Sequence, residues 1–221
     1  MCIRDRAFGG TAYLLNNKLS LLTEAQIIDF ENQNINFFER WPTTQRSESF
    51  NKASDVLLYS SQIIPGVLTL VDKSMRKDFL KIGVLYSQTF IVNLGLTAFV
   101  KNTARRARPF VYNTDVPIDE KMTKSARTSF YSGHTSETAA MCFLTARLYA
   151  DYNPKSKWKP LVWTLAAITP AVTGYMRMRA GKHFPTDVAV GYAMGASVGY
   201  FLPKIHWRKK GLEETTFKKH F

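Results

Sequence analysis

The chain has 221 residues, of which 45% are hydrophobic, and it carries a formal net charge of +13. This length is enough for one domain with a buried core, and the charge favours an anionic partner: nucleic acid, a phospholipid surface or a phosphorylated substrate. The two cysteines, Cys2 and Cys142, lie in unrelated settings, which argues against a disulfide framework or a zinc site.

The N-terminal segment, residues 1–49, begins with a stretch that does not resemble native sequence. Residues 1–6 are similar to translated sequencing adapter, and no apolar core of a signal peptide follows them. We therefore expect the natural N-terminus to be missing. An amphipathic helix is predicted over about 23–38, because Thr23 and Gln26 form a capping box ahead of spaced apolar residues. Such a helix suits a membrane interface or the end of a bundle, and a soluble surface helix is the alternative.

Long apolar segments determine the predicted fold class. Residues 82–100 form about 19 uncharged residues, roughly 28 Å of helix, which approaches the thickness of a bilayer core. Four segments of similar or slightly shorter length are 56–71, 136–152, 160–176 and 188–203. The pattern predicts an all-α fold in which residues 50–205 form a membrane-embedded bundle of about five or six helices, with the active site at one end. Buried helices of a soluble all-α enzyme would have the same lengths.

The connections between these segments predict an orientation. Lysines and arginines cluster at 73–81, 155–159 and 204–210, which share one face if the helices alternate in direction. By the positive-inside rule that face is cytoplasmic, and the basic tail, residues 206–221, belongs to it. We therefore expect a multi-pass membrane protein with segments 101–135 and 177–187 on the extracytoplasmic side.

Phosphate chemistry requires several of the residue types found in those two segments. A phosphoryl group carries charge on several oxygens, so cations and backbone N–H groups at a helix start hold it best. Lys101 supplies a point charge, whereas Arg108 and Arg177 supply planar forks. Gly133 lets the backbone approach the phosphate oxygens, and Ser132 adds a hydroxyl.

Two histidines are candidates for making and breaking the phosphorus bonds. Pro185 suits the first position of a helix, which places His183 just outside the helix N-terminus and Asp187 in its first turn. A histidine held by a carboxylate beside Arg177, Arg179 and Lys182 is a candidate nucleophile. His134 is the candidate acid, because histidine titrates near physiological pH. Taken singly, these stretches also fit helix caps or the solvated basic end of a membrane helix.

In combination, the motifs resemble those of the type 2 phosphatidic acid phosphatase superfamily, which includes class A acid phosphatases and vanadium haloperoxidases. The family pattern is Lys-x6-Arg-Pro, then Pro-Ser-Gly-His, then Ser-Arg-x5-His-x3-Asp. The first motif is complete from Lys101 to Pro109. Tyr131 replaces the proline of the second motif, and Met176 replaces the serine of the third. The resemblance covers roughly residues 50–203.

The resemblance implies a role for each matched residue. His183 would attack phosphorus to give a phosphohistidine, Asp187 would orient its ring, and His134 would protonate the leaving group. The phosphate would be bound by Lys101, Arg108, Ser132, Gly133 and Arg177. No metal and no cofactor are implied. The membrane helices favour a lipid substrate, with phosphatidate, phosphatidylglycerol phosphate and polyprenyl diphosphate all open.

Two other functions fit part of the sequence. A haloperoxidase would hold vanadate in the same pocket through His183, although haloperoxidase relatives are usually long and soluble. A non-enzymatic binder of anionic lipid or nucleic acid would explain the charge alone. The leading hypothesis includes a membrane and a lipid phosphate as partners and no nucleic acid, and the sequence carries no signal for an oligomeric state.

Overall fold

The computed structural model describes the backbone of residues 20–217 and the side chains of residues 20–205. Within this part the chain forms nine α-helices and no strand. The helices are α1 (Glu24–Asn32), α2 (Phe37–Arg40), α3 (Glu48–Val71), α4 (Lys73–Arg76), α5 (Phe79–Ala104), α6 (Ile118–Lys121), α7 (Gly133–Tyr152), α8 (Lys159–Arg179) and α9 (Pro185–Phe217). The predicted all-α class is confirmed.

The N-terminal helix begins as predicted but ends early. The Thr23 hydroxyl accepts the Gln26 N–H at 3.4 Å, and the Gln26 side chain accepts the Thr23 N–H at 3.2 Å. The helix predicted to reach residue 38 stops at Asn32, and a second short helix, α2, starts at Phe37. Asparagines at 32, 34 and 36 explain the break, since their side chains compete for backbone hydrogen bonds and favour turns over helix interiors.

Helix α7 is the centre of the bundle, because it packs against α3, α5, α8 and α9. Glycines on α9 allow the closest of these approaches. A Cβ atom at Gly195 would lie 1.9 Å from the Ser136 carbonyl oxygen, and one at Gly191 would lie 2.7 Å from that of Ser132. No side chain fits at such distances. The glycines therefore bring the N-terminal ends of α7 and α9 side by side.

Two of the five predicted apolar segments form helices that are long and apolar enough to cross a membrane. These are α3 and the helix that begins at Phe79, with mean hydropathies of 1.3 and 1.4. Helix α7 has a different character because it lies inside the bundle, where small and hydroxyl-bearing residues pack. Large apolar side chains are exposed on the outward faces of α3, α5 and α8, among them Ile63, Val67, Leu80, Val84, Leu161 and Leu165. Such an outer surface is suited to contact with lipid.

Two predictions concern the ends of the chain. Residues 1–6, interpreted as adapter, lie outside the described residues. The backbone of α9 continues across the predicted boundary at residue 205 and reaches Phe217. The side chains of the predicted basic tail, 206–221, lie outside the described part of the chain.

Candidate active site

The motif-bearing segments meet at one end of the bundle, where hydrogen bonds between main-chain groups join them. The Ser132 N–H donates to the Asp187 carbonyl at 3.0 Å, which ties the start of α7 to the first turn of α9. The Phe110 N–H donates to the Gly181 carbonyl at 3.2 Å, which ties the loop after α5 to the loop before α9. The segments expected to share one face of the bundle are therefore in direct contact.

His183 lies in the loop between α8 and α9, and only 1% of it is exposed. Neither ring nitrogen has a hydrogen-bond partner among the described residues. Its Nδ1 atom is 3.7 Å from Oδ2 of Asp187, close enough for electrostatic contact but too long for a hydrogen bond. A buried polar atom without a partner costs free energy, so a nitrogen held in this way indicates a site for chemistry or for a ligand.

Asp187 is fully buried, and other donors fix its carboxylate. Oδ2 accepts the Phe184 N–H at 2.9 Å and also the Ser129 hydroxyl. Oδ1 accepts Nη1 of Arg106 at 2.7 Å, and Nη2 of the same guanidinium donates to Glu39 at 2.6 Å. Neither Arg106 nor Ser129 was among the predicted site residues. These contacts hold the carboxylate beside the His183 ring.

Three predicted phosphate-binding cations lie around this histidine. Nζ of Lys101 donates to the Thr128 carbonyl at 3.1 Å. A Cβ atom at Gly133 would lie 3.5 Å from Cε of Lys101, so the start of α7 and the end of α5 are in close contact. Arg108 and Arg177 each have an Nε atom without a partner among the described residues. Donors of this kind remain available to an anion.

The electrostatic setting of His183 follows from this cluster. Burial is the largest cause that lowers its pKa, and neighbouring positive groups lower it further. Those groups are Arg108, Lys101, Arg177 and His134. Together they hold the pKa of His183 well below its usual value of 6.5. The imidazole is therefore neutral at physiological pH, which is the form a nucleophile requires.

Two of the three basic residues expected beside His183 lie against aromatic rings instead. The guanidinium of Arg179 is 5.3 Å from the ring centre of Phe50, and Nζ of Lys182 is 5.0 Å from that of Phe110. Cation–π contacts of this kind occupy the positive groups. Only Arg177 of the three belongs to the cluster around the histidine.

Ser132 has a structural role that the motif alone leaves open. It is the N-cap of α7: its hydroxyl accepts the Thr135 N–H at 3.4 Å and lies 2.9 Å from the Thr135 hydroxyl. The simple interpretation of this stretch as a helix cap is thus correct for its hydroxyl. Binding of phosphate by Ser132 and Gly133 remains a prediction, supported by their position at the positive end of a buried helix.

Helix α3 contributes polar residues that the sequence analysis missed. Oδ1 of Asp55 lies 2.8 Å from Nε2 of His134. Nη1 of Arg177 donates to Oδ1 of Asn51 at 2.7 Å and to the Ser54 hydroxyl at 3.3 Å. Residues 45–55 are interpreted from sequence only as a linker or the start of a helix. The sequence signal that could have identified them is the spacing of Asn51, Ser54 and Asp55, which places three polar residues on one face of a helix.

A cleft of about 460 Å³ runs between α3 and α5 and ends at this site. Its walls include the apolar residues Leu58, Phe90, Leu94 and Ala98, and its polar end includes Lys101, Gly133 and His134. About 16 Å of helix separates Phe90 from Lys101 along α5. Among residues 20–205 we find no group of three or more His, Cys, Asp and Glu side chains that could hold a metal ion.

Comparison with known proteins finds phosphatases among the relatives of this chain. The chain is 30% identical over 138 residues to a lipid A 4'-phosphatase of Porphyromonas gingivalis, and this match covers 61% of the present chain and 54% of the relative. It is 28% identical over 142 residues to an undecaprenyl-diphosphatase of Sulfolobus acidocaldarius, and this match covers 62% of the present chain and 60% of the relative. The chain thus spans little more than half the length of these curated relatives.

The fold also matches a solved structure, that of a transmembrane PAP2 type phosphatidylglycerolphosphate phosphatase from Bacillus subtilis. The TM-score is 0.58 at 18% identity, and the match covers 94% of this chain and 98% of that one. The predicted helical-bundle fold is therefore confirmed. The sequence-family model of the PAP2 superfamily matches residues 82–210. This match covers more than half of the chain and includes all three motifs. The chain belongs to the PAP2 superfamily.

Proposed function

We propose that this protein is a membrane phosphatase that hydrolyses a lipid phosphate monoester or diphosphate through a phosphohistidine at His183. The observation that carries the proposal is the setting of that residue. It is a buried, neutral imidazole with both nitrogens unpaired among the described residues, and Lys101, Arg108 and Arg177 surround it. A nucleophile within a ring of cations fits a phosphorus centre whose oxygens carry negative charge.

In the first half of the proposed reaction, a ring nitrogen of His183 attacks phosphorus. The bond between phosphorus and the ester oxygen breaks, and His134 gives its proton to the departing alkoxide. In the second half, His134 takes a proton from water, the water oxygen attacks phosphorus, and the bond to His183 breaks. The cations hold the phosphoryl oxygens throughout, and Asp187 keeps the nucleophilic ring in place.

The cleft supports a lipid as the substrate. Its apolar walls lead directly to Lys101 and His134, so an apolar chain can lie between α3 and α5 while its phosphate enters the site. The relatives named above act on lipid A and on undecaprenyl diphosphate, which combine a phosphate with long apolar chains. Phosphatidate, phosphatidylglycerol phosphate and polyprenyl diphosphate are the substrate classes we propose.

We further propose a location in a bacterial inner membrane with the site on the periplasmic side. The support is the distribution of charge: basic clusters at 73–81 and 155–159 lie in connections on the face away from the motif-bearing segments. Cysteine labelling with a membrane-impermeant maleimide in intact cells tests this. A cysteine introduced at position 115 is expected to react, and one introduced at position 155 is not.

The activity is tested with purified protein on short-chain phosphatidate, phosphatidylglycerol phosphate, a prenyl diphosphate and a soluble sugar phosphate. We expect release of inorganic phosphate from at least one lipid at a kcat/KM well above that for the sugar phosphate. His183→Ala should abolish the release without changing the elution volume of the purified protein. Equal inactivity of the folded wild type toward every ester would refute the proposal.

A further inference from the structure

We propose that Asp55 is a positioning residue for the acid His134, an inference that rests on the proposed phosphatase function. Asp55 lies on α3, outside the residues matched by the family model and outside all three motifs. Its carboxylate makes the one side-chain hydrogen bond found for His134 among the described residues, at 2.8 Å. The acid is therefore oriented by a helix that carries none of the recognised motif residues.

The hydrogen bond constrains the protonation of the ring. A carboxylate accepts hydrogen bonds, so the Nε2 atom of His134 must carry a hydrogen and donate the bond to Asp55. While that bond is held, a proton delivered to the leaving group comes from Nδ1. Burial and the positive charge of Arg177 lower the pKa of His134 to about 4, and the Asp55 carboxylate opposes this shift by stabilising the imidazolium that an acid must form before it donates. The same arrangement of an acid–base histidine held by a carboxylate occurs in catalytic triads.

Asp55 also lies near a phosphate-binding group. Its Oδ1 atom is 3.8 Å from Nη1 of Arg177, while Asn51 accepts a hydrogen bond from that same nitrogen at 2.7 Å. Arg177 thus keeps a closer partner if Asp55 is removed. The Asp55 side chain is 39% exposed, so solvent weakens its attraction to Arg177. Loss of Asp55 is therefore expected to affect proton transfer more than phosphate binding.

The experiment compares two esters that share a phosphoryl group but differ in leaving group. One is short-chain phosphatidate, whose alkoxide needs a proton as it departs, and the other is an alkyl-substituted nitrophenyl phosphate, whose phenolate does not. We compare kcat/KM, which covers the steps up to formation of the phosphohistidine and excludes its hydrolysis, a step that both esters share. For Asp55→Ala we expect kcat/KM to fall about 10- to 100-fold on phosphatidate, within the range for general acid catalysis, and less than about threefold on the nitrophenyl ester.

Two further variants separate positioning from folding. Asp55→Asn keeps an acceptor oxygen but removes the charge, so we expect an intermediate loss with the same dependence on the leaving group. Asp55→Glu keeps the charge and should recover part of the rate on phosphatidate. Asp29→Asn is the matched control, because Asp29 is an exposed carboxylate on α1 whose partner is Gln33. It should behave as wild type on both esters.

The outcomes distinguish this inference from the function on which it rests. Active wild type with Asp55→Ala unchanged on phosphatidate would overturn the role of Asp55 alone. An equal loss of kcat/KM on both esters would also overturn it, because such a result indicates a structural or phosphate-binding role. A folded wild type that is inactive on both esters would overturn the phosphatase proposal and this inference with it.

Discussion

Replacing Arg106 with alanine tests the electrostatic support beneath the site. The Asp187 side chain is completely buried, and Arg106 provides the guanidinium that pairs with it at 2.7 Å. Breaking a buried ion pair by removing one partner costs about 3–5 kcal/mol. The Arg106 side chain is 28% exposed, and the Phe184 N–H and the Ser129 hydroxyl would still donate to Asp187. We therefore expect a smaller loss of stability, about 2–3 kcal/mol.

The assay is thermal unfolding of purified protein in detergent. A loss of this size corresponds to a fall in Tm of about 4–12 °C for a chain of this length. Arg105→Ala is the matched control, because Arg105 is exposed and donates from Nε to the carbonyl of Asn102 in the helix that it ends. Its effect should stay within about 0.5 kcal/mol. Arg106→Lys should be intermediate, since an ammonium keeps the charge but loses the planar fork.

The same variants should separate in activity. If Asp187 holds the nucleophile, kcat should fall at least about tenfold in Arg106→Ala and stay near wild type in Arg105→Ala. A Tm for Arg106→Ala no lower than that for Arg105→Ala would refute the reasoning, because it would show that the buried carboxylate does not depend on its guanidinium partner.

Three further predictions follow from the site and its packing. The lowered pKa of His183 keeps the nucleophile neutral as pH falls through 6.5, so the acid limb of the pH profile of kcat/KM should lie below that pH. Arg108→Gln removes a positive charge near the ring and should move this limb to higher pH. A limb that does not move would contradict the electrostatic cause. Gly195→Ala should lower the stability by about 1–3 kcal/mol or more, measured by thermal unfolding, because the new methyl group overpacks the helix contact. Gly83→Ala is the control: nothing lies within 4 Å of its new Cβ atom, so it should be neutral or stabilising. Each methylene added to a short-chain lipid phosphate should raise kcat/KM up to about fourfold until the cleft is filled. Leu94→Trp should make the cleft fill at a shorter chain length. If kcat/KM does not depend on chain length in the wild type or in Leu94→Trp, the cleft is excluded as the lipid site.

Local chemistry made the helix starts predictable. Thr23 with Gln26 and the proline at 185 produce the helix starts expected of them, since capping depends on a few neighbouring residues. The predicted length of the first helix was wrong. The apolar spacing continues past the asparagines that end the helix, so the spacing alone did not indicate where it stops. Convergence of the motifs could be predicted because each lies at a helix end, and helices that alternate in direction bring alternate ends to one face.

The partners of the site residues were less predictable. Arg105 and Arg106 are adjacent and chemically identical, yet one is exposed and the other holds Asp187. Arg105 ends α5 with a φ of 49°, and this left-handed turn separates the directions of the two side chains. Asp55 contacts a residue 79 positions away. Such a pairing depends on the rotation of α3 about its axis, which hydrophobic pattern fixes only coarsely.

The most direct test of the proposed mechanism is to trap the phosphoenzyme. Purified enzyme is mixed with phosphate-labelled short-chain phosphatidate and denatured within one turnover, and the labelled peptide is then identified. We expect an acid-labile, alkali-stable label on the peptide that contains His183, present in wild type and absent in His183→Ala. A label on any other residue, or full turnover in His183→Ala, would contradict the assignment of His183 as the nucleophile.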